Sequence, residues 1–353
     1  MDPIWMANNT DLPDLALLDR NWQTFLVILY TTTAIISLAS NIVTIVVLVK
    51  GERLSSELWK YLINLSVADI SMAVFCIPFT YTMFMLGHWV FPVWLCPIVQ
   101  FTQVCSVLIS VYTLTLIGID RYFAILYPFQ TSSYLKSHKL WLVCAIWMVS
   151  IGVGLIPYYK TEAVRFAYGN DTYYDCREVW DEESGKKYTL FIFIITFALP
   201  IFILTFVYTS ICCYILRHNT PGNPDRVRDL AQWKLKIKVV KMLITIVILF
   251  AVCWLPIHIF NIMVWFFPPT SINTSRTLYM TYVFSYFFSH FLSMSHSFIN
   301  PFVYGFMSEN FKSSLRRLVT RMWSKRKHMD TELDKYSASH QTQELTSLRI
   351  NTL

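Results

Sequence analysis

The sequence has few charged residues for its length. Asp, Glu, Lys and Arg make up 14% of the 353 residues, whereas hydrophobic residues make up 55%. Soluble domains carry about 25% charged residues, because a folded chain needs a polar surface to stay dissolved. This shortage excludes an ordinary soluble domain and favours a chain that folds within a lipid bilayer.

The apolar residues are gathered into runs that are long enough to cross a membrane. About 20 mostly apolar residues in a helix span the hydrocarbon core of a bilayer. Lipid offers the backbone no hydrogen bonds, so such runs are predicted to be helices. The predicted fold class is an all-α membrane protein, a seven-transmembrane helix bundle. Its spans are residues 24–49, 60–86, 98–126, 139–158, 188–216, 237–266 and 278–304.

The sequence also lacks the usual features of other membrane-protein classes. It has no obvious internal repeat and essentially one intramembrane acid, Asp69, whereas transporters commonly have repeats, broken helices and several intramembrane charges. The histidines His258, His290 and His296 do not have the spacing of a metal cluster or a nucleophile–base arrangement. A transporter is therefore the less favoured alternative, and an enzyme is not predicted.

Basic residues are concentrated in the connections on one side of the predicted membrane. Acidic residues instead outnumber basic ones in residues 1–23 and 159–187. Because Lys and Arg collect in cytoplasmic loops, we expect an extracellular N-terminus. The basic charge is explained by the inner leaflet and a cytoplasmic partner, so no nucleic acid is predicted. The basic connections are residues 50–60, 120–139, 217–241 and 306–353.

Glycosylation sequons and cysteines agree with this orientation. The sequons at Asn8, Asn170 and Asn273 all fall in segments predicted to be extracellular. Of the eight cysteines, Cys96 and Cys176 alone lie near the outer surface, where oxidising conditions allow a disulfide. Such a bond would tie the long outer loop to the third span. The cysteines show no metal-ligand spacing.

One motif per span, in a fixed order, gives the chain a specific resemblance. Over roughly residues 24–320 it resembles the rhodopsin-like G-protein-coupled receptors, in the branch that binds tachykinin-, neuropeptide-Y- and kinin-like peptides. We divide the chain into an extracellular N-terminus (1–23), a seven-transmembrane domain (24–304), an amphipathic juxtamembrane helix (305–322) and a disordered cytoplasmic tail (323–353). The motif residues are Asn41, Asp69, Asp120-Arg121-Tyr122, Trp147, Pro200, Tyr208, Phe250, Trp254, Pro256 and Asn300-Pro301-Phe302-Val303-Tyr304.

The resemblance implies an activation switch at the inner ends of the spans. Asp120 restrains Arg121 at rest, and on activation Arg121 meets a G protein together with Tyr208 and Tyr304. The family often has a second acidic partner for this arginine, but Lys236 stands there and that restraint is not expected. The other predicted switch residues are Tyr122, Phe250, Trp254, Pro256, Asn300 and Pro301.

Asp69 is a carboxylate within an apolar span, where an ionisable group is costly and usually functional. The family places a sodium ion there, and Ser110 and Ser297 stand on matching positions. His296 replaces the Asn that the family usually has at another ligand position, which argues against sodium or makes its binding pH-sensitive. The alternative is a protonated, hydrogen-bonded Asp69 without an ion. No other cofactor is predicted.

The residues at ligand-anchoring positions favour a peptide. Met294 stands where retinal receptors carry their lysine, and Gln103 stands where amine receptors carry an aspartate. The Gln103 amide can donate and accept hydrogen bonds, which suits a C-terminal amide, and His258 and Asn261 complete the predicted pocket. The acids of the outer loop 159–187 would attract a basic peptide, unless they are only a solvated loop. A lipid ligand, or signalling without a ligand, is the alternative.

The inner face is predicted to contact a heterotrimeric G protein. In the family, the residue after a proline in the second inner loop inserts into the G protein, and Pro128 and Phe129 match that pattern. The basic start of the sixth span supplies Lys236 and Lys238. We also expect membrane lipid against the juxtamembrane helix, arrestin at the Ser- and Thr-containing tail, and a plasma-membrane location.

Overall fold

The computed structural model describes residues 18–50, 58–127, 132–217, 226–267, 276–309 and 311–321, with a few positions beyond. These residues form helices and one β-hairpin. The helices are α1 (Arg20–Lys50), α2 (Trp59–Phe75), α3 (Ile77–Leu86), α4 (Leu95–Leu126), α5 (Ser132–Lys160), α6 (Glu182–Phe193), α7 (Leu199–Arg217), α8 (Arg226–Phe266), α9 (Arg276–Met307) and α10 (residues 311–321).

Six of the predicted spans form helices that are long and apolar enough to cross a membrane. The seventh span is α9, a helix of 32 residues that packs against α8 and α1. It is less apolar because it turns a polar face into the bundle. The polar side chains that α9 buries are Ser289, His290, Ser293, Ser295, His296, Ser297 and Asn300.

Two of the spans are interrupted rather than continuous. The second span breaks at Cys76, two residues before Pro78, because proline has no N–H to continue the helical ladder. The fifth span contains a π-helical turn at Ile194–Ala198, immediately ahead of Leu199 and Pro200. Such turns are common at functional sites, since they rotate the side chains that follow them.

The long outer loop forms an antiparallel hairpin of β1 (Thr161–Tyr168) and β2 (Asp171–Glu178). Gly169 adopts a left-handed backbone at its tip, with φ 63°, where a side chain would be strained. The predicted disulfide between Cys96 and Cys176 is confirmed, and it joins β2 to the start of α4. The hairpin is thereby fixed beside the helix ends that are predicted to be extracellular, which we call the outer ends; the opposite ends are the inner ends.

The two largest clusters of buried apolar side chains lie in the outer and the inner half of the bundle. The outer cluster includes Trp254 and Phe250, and the inner one includes Tyr208, Tyr304 and Phe311 of α10. Several of the predicted switch residues are therefore buried inside the bundle. Residues 1–17 and the end of the tail lie outside the described residues, so the domain boundaries stay predictions.

Candidate functional site

His258 lies in the outer half of the bundle, next to the π-helical turn. Its side chain is 6% exposed, and its Nε2 is 3.4 Å from the Oγ1 of Thr196. The rings of Phe193, Phe197 and Trp254 surround the imidazole at 5.6, 5.3 and 6.2 Å. The π-helical turn carries Thr196 toward α8, so it helps to position this histidine.

The other two predicted pocket residues differ in burial. Gln103 on α4 is half-buried, and its Oε1 is buried without a hydrogen-bond partner among the described residues. Asn261 is exposed, three residues beyond the buried His258 on α8. Buried polar groups are nearly always hydrogen-bonded, so an acceptor such as Gln103 Oε1 is available to a ligand.

The structure reveals an aromatic cluster around His290 that was not predicted as a site. The hydroxyl of Tyr30 lies 3.0 Å from His290 Nδ1, and the ring of Tyr286 stacks on the imidazole at 5.5 Å. Tyr30 also stacks on Tyr81 at 4.9 Å. His290 Nε2 is buried and has no partner among the described residues. The spacing of Tyr279, Tyr282, Tyr286 and His290 along one face of α9 was the available sequence signal.

Below these residues, Asp69 is 2% exposed and accepts two hydrogen bonds from neighbouring helices. Ser110 Oγ donates to its Oδ1 at 3.2 Å, and Asn300 Nδ2 donates to its Oδ2 at 3.1 Å. A cavity of about 10 Å³ adjoins the carboxylate, which is roughly the space that one water-sized sphere requires. Ser297 and His296 also line this cavity.

The aromatic residues of the predicted switch lie next to this cavity. Trp254 lines it directly, and its ring lies 6.3 Å from both Phe250 and His296. The His296 ring also meets Phe250 edge-on at 5.4 Å, and His296 Nε2 is buried without a partner among the described residues. A ligand that moves Trp254 would therefore change the surroundings of Asp69.

At the inner end of α4, Asp120 has two cationic partners. Its Oδ2 lies 2.5 Å from Arg121 Nη2, as the motif predicted. Its Oδ1 lies 3.1 Å from Nζ of Lys139 on α5, and both side chains of this second pair are at most 6% exposed. Lys139 Nζ also lies over the ring of Tyr61 at 5.5 Å. Sequence reasoning missed Lys139, because the two partners are 19 residues apart on different helices.

The predicted switch tyrosines differ in exposure. Tyr208 is buried, and a Cβ added at Gly118 would lie 3.3 Å from its hydroxyl. Tyr304 is also buried, and its hydroxyl has no partner among the described residues. Tyr122 is half-buried against Phe206, with ring centroids 6.4 Å apart. The Tyr304 hydroxyl is therefore free to form a new contact. Pro256 and Pro301 lie inside α8 and α9.

The predicted G-protein contacts are only partly described. Pro128 and Phe129 lie outside the described residues, and so does the side chain of Lys236. Lys238 forms an ion pair with Glu309, whose Oε1 is 2.9 Å from the lysine Nζ. Lys312 lies 3.5 Å from the same oxygen. This network joins α8 to the beginning of α10.

The acids of the outer loop are mostly engaged with neighbouring groups. Asp181 caps α6 by accepting from the N–H of Ser184, and this bond lowers the pKa of Asp181. Burial raises the pKa of Glu178, although its bond from Trp180 Nε1 at 2.6 Å acts in the opposite direction. The predicted acidic surface therefore contains fewer unpaired carboxylates than its composition indicates. Further ion pairs are Asp175–Arg177, Glu182–Lys186 and Glu183–Lys187.

One of the three predicted glycosylation sites is described. Asn170 is exposed next to the hairpin tip, where Gly169 turns the chain. An exposed sequon in a turn is accessible to the modifying enzyme. Asn8 and Asn273 lie outside the described residues.

These features define a class of protein before any comparison. The bundle of helices contains an outer group of polar atoms that have no partner among the described residues, a buried carboxylate at mid-depth and an arginine–carboxylate pair at the inner end. This is the architecture of a multi-pass membrane receptor. Residues 40–304 match the family described as 7 transmembrane receptor (rhodopsin family). The chain belongs to this family, which consists of receptors and not enzymes.

Individual relatives are similar over different lengths. The RYamide receptor of Drosophila melanogaster is 31% identical over 240 residues, which cover 67% of this chain and 52% of that receptor. The neuropeptide Y receptor type 6 of Mus musculus is 28% identical over 92% of this chain and 88% of its own. The human substance-P receptor is 28% identical over 72% and 62%. The chain thus spans about half the length of the fruit-fly receptor.

Proposed function

We propose that this chain is a receptor for an extracellular neuropeptide and activates a heterotrimeric G protein. Family membership supports receptor function. The relatives named for RYamide, neuropeptide Y and substance-P support a peptide ligand. The observation that carries the proposal is Gln103. It is a half-buried neutral amide whose oxygen has no partner among the described residues, and it stands where an amine receptor needs a carboxylate.

We propose that the peptide ends in a C-terminal amide and that this amide reaches deepest into the pocket. Gln103 Oε1 and His290 Nε2 are both buried and lack partners among the described residues. A carboxamide is neutral and provides both N–H donors and an acceptor. A free carboxylate would be buried with its charge beside neutral groups, which is unfavourable. His258 and Asn261 are proposed as further contacts on α8.

We also propose that the peptide is basic, although the outer loop has fewer unpaired carboxylates than its composition indicates. Glu162 and Asp171 are exposed on the hairpin, and the paired acids around them still contribute to the local potential. Electrostatic steering changes the association rate more than the equilibrium affinity. Salt should therefore slow peptide association while changing dissociation little.

We propose a plasma-membrane location with the N-terminus and the β-hairpin outside. The basic inner connections and the exposed Asn170 support this orientation. Treating the expressed protein with a glycosidase should increase its mobility on a gel, and Asn170→Gln should remove part of that shift. An unglycosylated Asn170 on a surface-expressed chain, together with an intracellular N-terminal tag, would reverse the assignment. Arrestin at the tail and membrane lipid at α10 are further proposed partners.

Sodium is the proposed ion of the cavity beside Asp69. The site fits in size, and Asp69, Ser110 and Ser297 provide oxygen atoms of the kind that hard cations prefer. His296 contributes a nitrogen, so weak binding is expected. A bound sodium ion would neutralise the buried carboxylate and favour the resting packing. Sodium should lower agonist affinity in the wild type and have no effect in Asp69→Asn, whereas a sodium effect that persists in this variant would locate the ion elsewhere.

Receptor function is tested by calcium and cyclic-AMP responses in cells challenged with a library of amidated neuropeptides. We expect a sub-micromolar response to one peptide, lost in Arg121→Ala at equal surface expression. Silence to every peptide would favour a lipid ligand or signalling without a ligand.

The deep end of the pocket is tested with the amide and free-acid forms of the responding peptide. Gln103→Leu should reduce potency of the amide about tenfold, the effect of losing one well-made hydrogen bond to a buried group. The acid form should already be weak and lose less. Asn261→Leu, which removes an exposed amide of the same proposed pocket, should reduce potency less. Equal potency of the two forms would exclude amide recognition at Gln103.

A further inference from the structure

The inner end of α4 contains a cluster of one carboxylate and two cations. Asp120 is 6% exposed, and its two oxygens point to different partners, Oδ2 to Arg121 and Oδ1 to Lys139. Lys139 is 5% exposed, so it is a buried cation and not a side chain reaching for the membrane surface. A buried lysine requires a paired carboxylate.

The two cationic partners of Asp120 differ in exposure. Arg121 is 19% exposed and lies at the edge of the cluster, whereas Lys139 lies deeper between α2, α4 and α5. When Arg121 leaves for a G protein, a carboxylate with no other partner would be buried as an unpaired charge. Breaking a buried ion pair by removing one partner is strongly unfavourable. In this structure, Oδ1 of Asp120 would still be paired with Lys139 after Arg121 has left.

We propose that Lys139 is the resident counter-ion of Asp120, which keeps the carboxylate paired after Arg121 departs and so favours the active state. This inference rests on the proposed activation of a G protein. Lys139 is therefore a positioning residue that acts through Asp120 on the release of Arg121. It is distinct from a resting-state restraint, which would favour the inactive state.

The other described groups around the cluster are consistent with this role. Tyr61 on α2 presents its ring to Lys139 Nζ, which stabilises the ammonium group by a cation–π contact. Tyr208 on α7 lies in the same inner cluster, beside Gly118, one turn before Arg121. Neither tyrosine supplies a negative charge at neutral pH, so neither replaces Asp120 as the partner of Lys139.

The test is a double-mutant cycle on ligand-independent G-protein activation, normalised to surface expression. Lys139→Met should lower basal activation by about tenfold, because the active state then contains a buried, unpaired carboxylate. Lys139→Arg keeps the charge and should restore most of the activity. In an Asp120→Asn background, Lys139→Met should have no lowering effect. Lys60→Met is the matched control, since Lys60 is exposed at the same end of the bundle.

The outcomes separate this inference from the proposed function. Raised or unchanged basal activation in Lys139→Met, with Asp120→Asn clearly activating, would overturn the role of Lys139 alone. An equal loss in both backgrounds would also overturn it, because it would indicate a purely structural lysine. Failure of Asp120→Asn to alter activation of any G protein in a full panel would reject the proposed coupling and this inference with it.

Discussion

Gly118 on α4 lies where a side chain would collide with Leu204 and Tyr208 of α7. A Cβ at this position would lie 2.7 Å from Leu204 Cδ2 and 3.3 Å from the Tyr208 hydroxyl. Gly118→Ala should therefore destabilise the receptor by about 1–3 kcal/mol, the usual effect of overpacking. The thermal unfolding midpoint of detergent-solubilised receptor measures this. Tyr208 should also be displaced, so the response to agonist should fall.

Gly152 is the matched control on the next long helix. A Cβ there would meet no atom of the described residues within 4 Å, so Gly152→Ala should stabilise the helix by about 0.5–1 kcal/mol. Opposite shifts of the two unfolding midpoints are expected from the same chemical change. Equal shifts would show that helix propensity, and not the contact with Leu204 and Tyr208, determines the result.

Glu178 should make stability depend on pH in a known direction. Burial raises its pKa, so the folded state binds a proton more tightly than the unfolded state. Stability contributed by this group therefore increases as pH falls from the raised pKa toward the ordinary carboxyl value. Glu178→Gln removes the ionised form and keeps an acceptor for Trp180, so the variant should be the more stable of the two at neutral pH. Its advantage should disappear in acid.

Unfolding midpoints across a pH series measure this difference, with Glu162→Gln as the control because Glu162 is exposed on the same hairpin. An advantage of Glu178→Gln that is constant with pH would mean that packing, and not ionisation, is responsible.

Single residues were predictable from the sequence where they form local motifs. Asp69 and the pair Asp120–Arg121 could be located because a carboxylate in an apolar run, or an adjacent acid and base, is visible in the printed order. Lys139 and Glu309 could not, because their partners lie 19 and 71 residues away and come together through helix packing. Partner choice at such distances depends on the register between helices.

Two ion pairs connect α8 to the beginning of α10. Lys238 on α8 pairs with Glu309, and Lys312 of α10 shares that carboxylate. These ion pairs lower the pKa of Glu309. An outward swing of α8 would separate Lys238 from Glu309. Glu309→Lys should therefore raise basal signalling by a few fold at most, since exposed ion pairs contribute little.

A charge swap tests the pairing itself. Lys238→Glu alone should disturb this connection as Glu309→Lys does, and the double variant Lys238→Glu/Glu309→Lys should return basal signalling toward the wild type. Exchange of Lys186 and Glu182, an ion pair on α6 far from the inner face, is the control. If the double variant signals no closer to the wild type than the singles do, the contact does not restrain α8.

The elements themselves were predictable to different degrees. Long apolar runs located all seven spans, because length and composition determine what can cross a bilayer. The break at Cys76 and the π-helical turn at Ile194–Ala198 were not predicted, although prolines stand close to both. Whether a helix beside a proline kinks, breaks or adopts a π turn depends on the side chains that pack around it.

For the whole molecule, the functional groups are stacked along one axis. The hairpin and Gln103 lie toward the end that is predicted to be extracellular, and the Asp120 cluster lies at the opposite end. Trp254 and the Asp69 cavity lie between them. Trp254 lines the cavity, and Asn300 connects Asp69 to α9, which contains Tyr304 in its last turn and ends at Met307. Trp254 and Asn300 thus link the surroundings of Asp69 to α8 and α9, the helices that carry most of the predicted switch residues.

The disulfide between Cys96 and Cys176 should determine whether the outer end of this axis is formed. It fixes β2 to α4, and the N–H of Trp89 donates to Tyr174 O at 2.7 Å beside it. The double variant Cys96→Ser/Cys176→Ser should lose about 2–4 kcal/mol of stability. We expect a larger loss of peptide affinity than of basal G-protein activation, because the hairpin is released while the Asp120 cluster remains intact.

Peptide binding and basal activation are compared at matched surface expression. Cys144→Ser, which changes an exposed free cysteine, is the control. Equal losses of binding and basal activation would show that the hairpin supports the whole bundle and not the outer pocket alone.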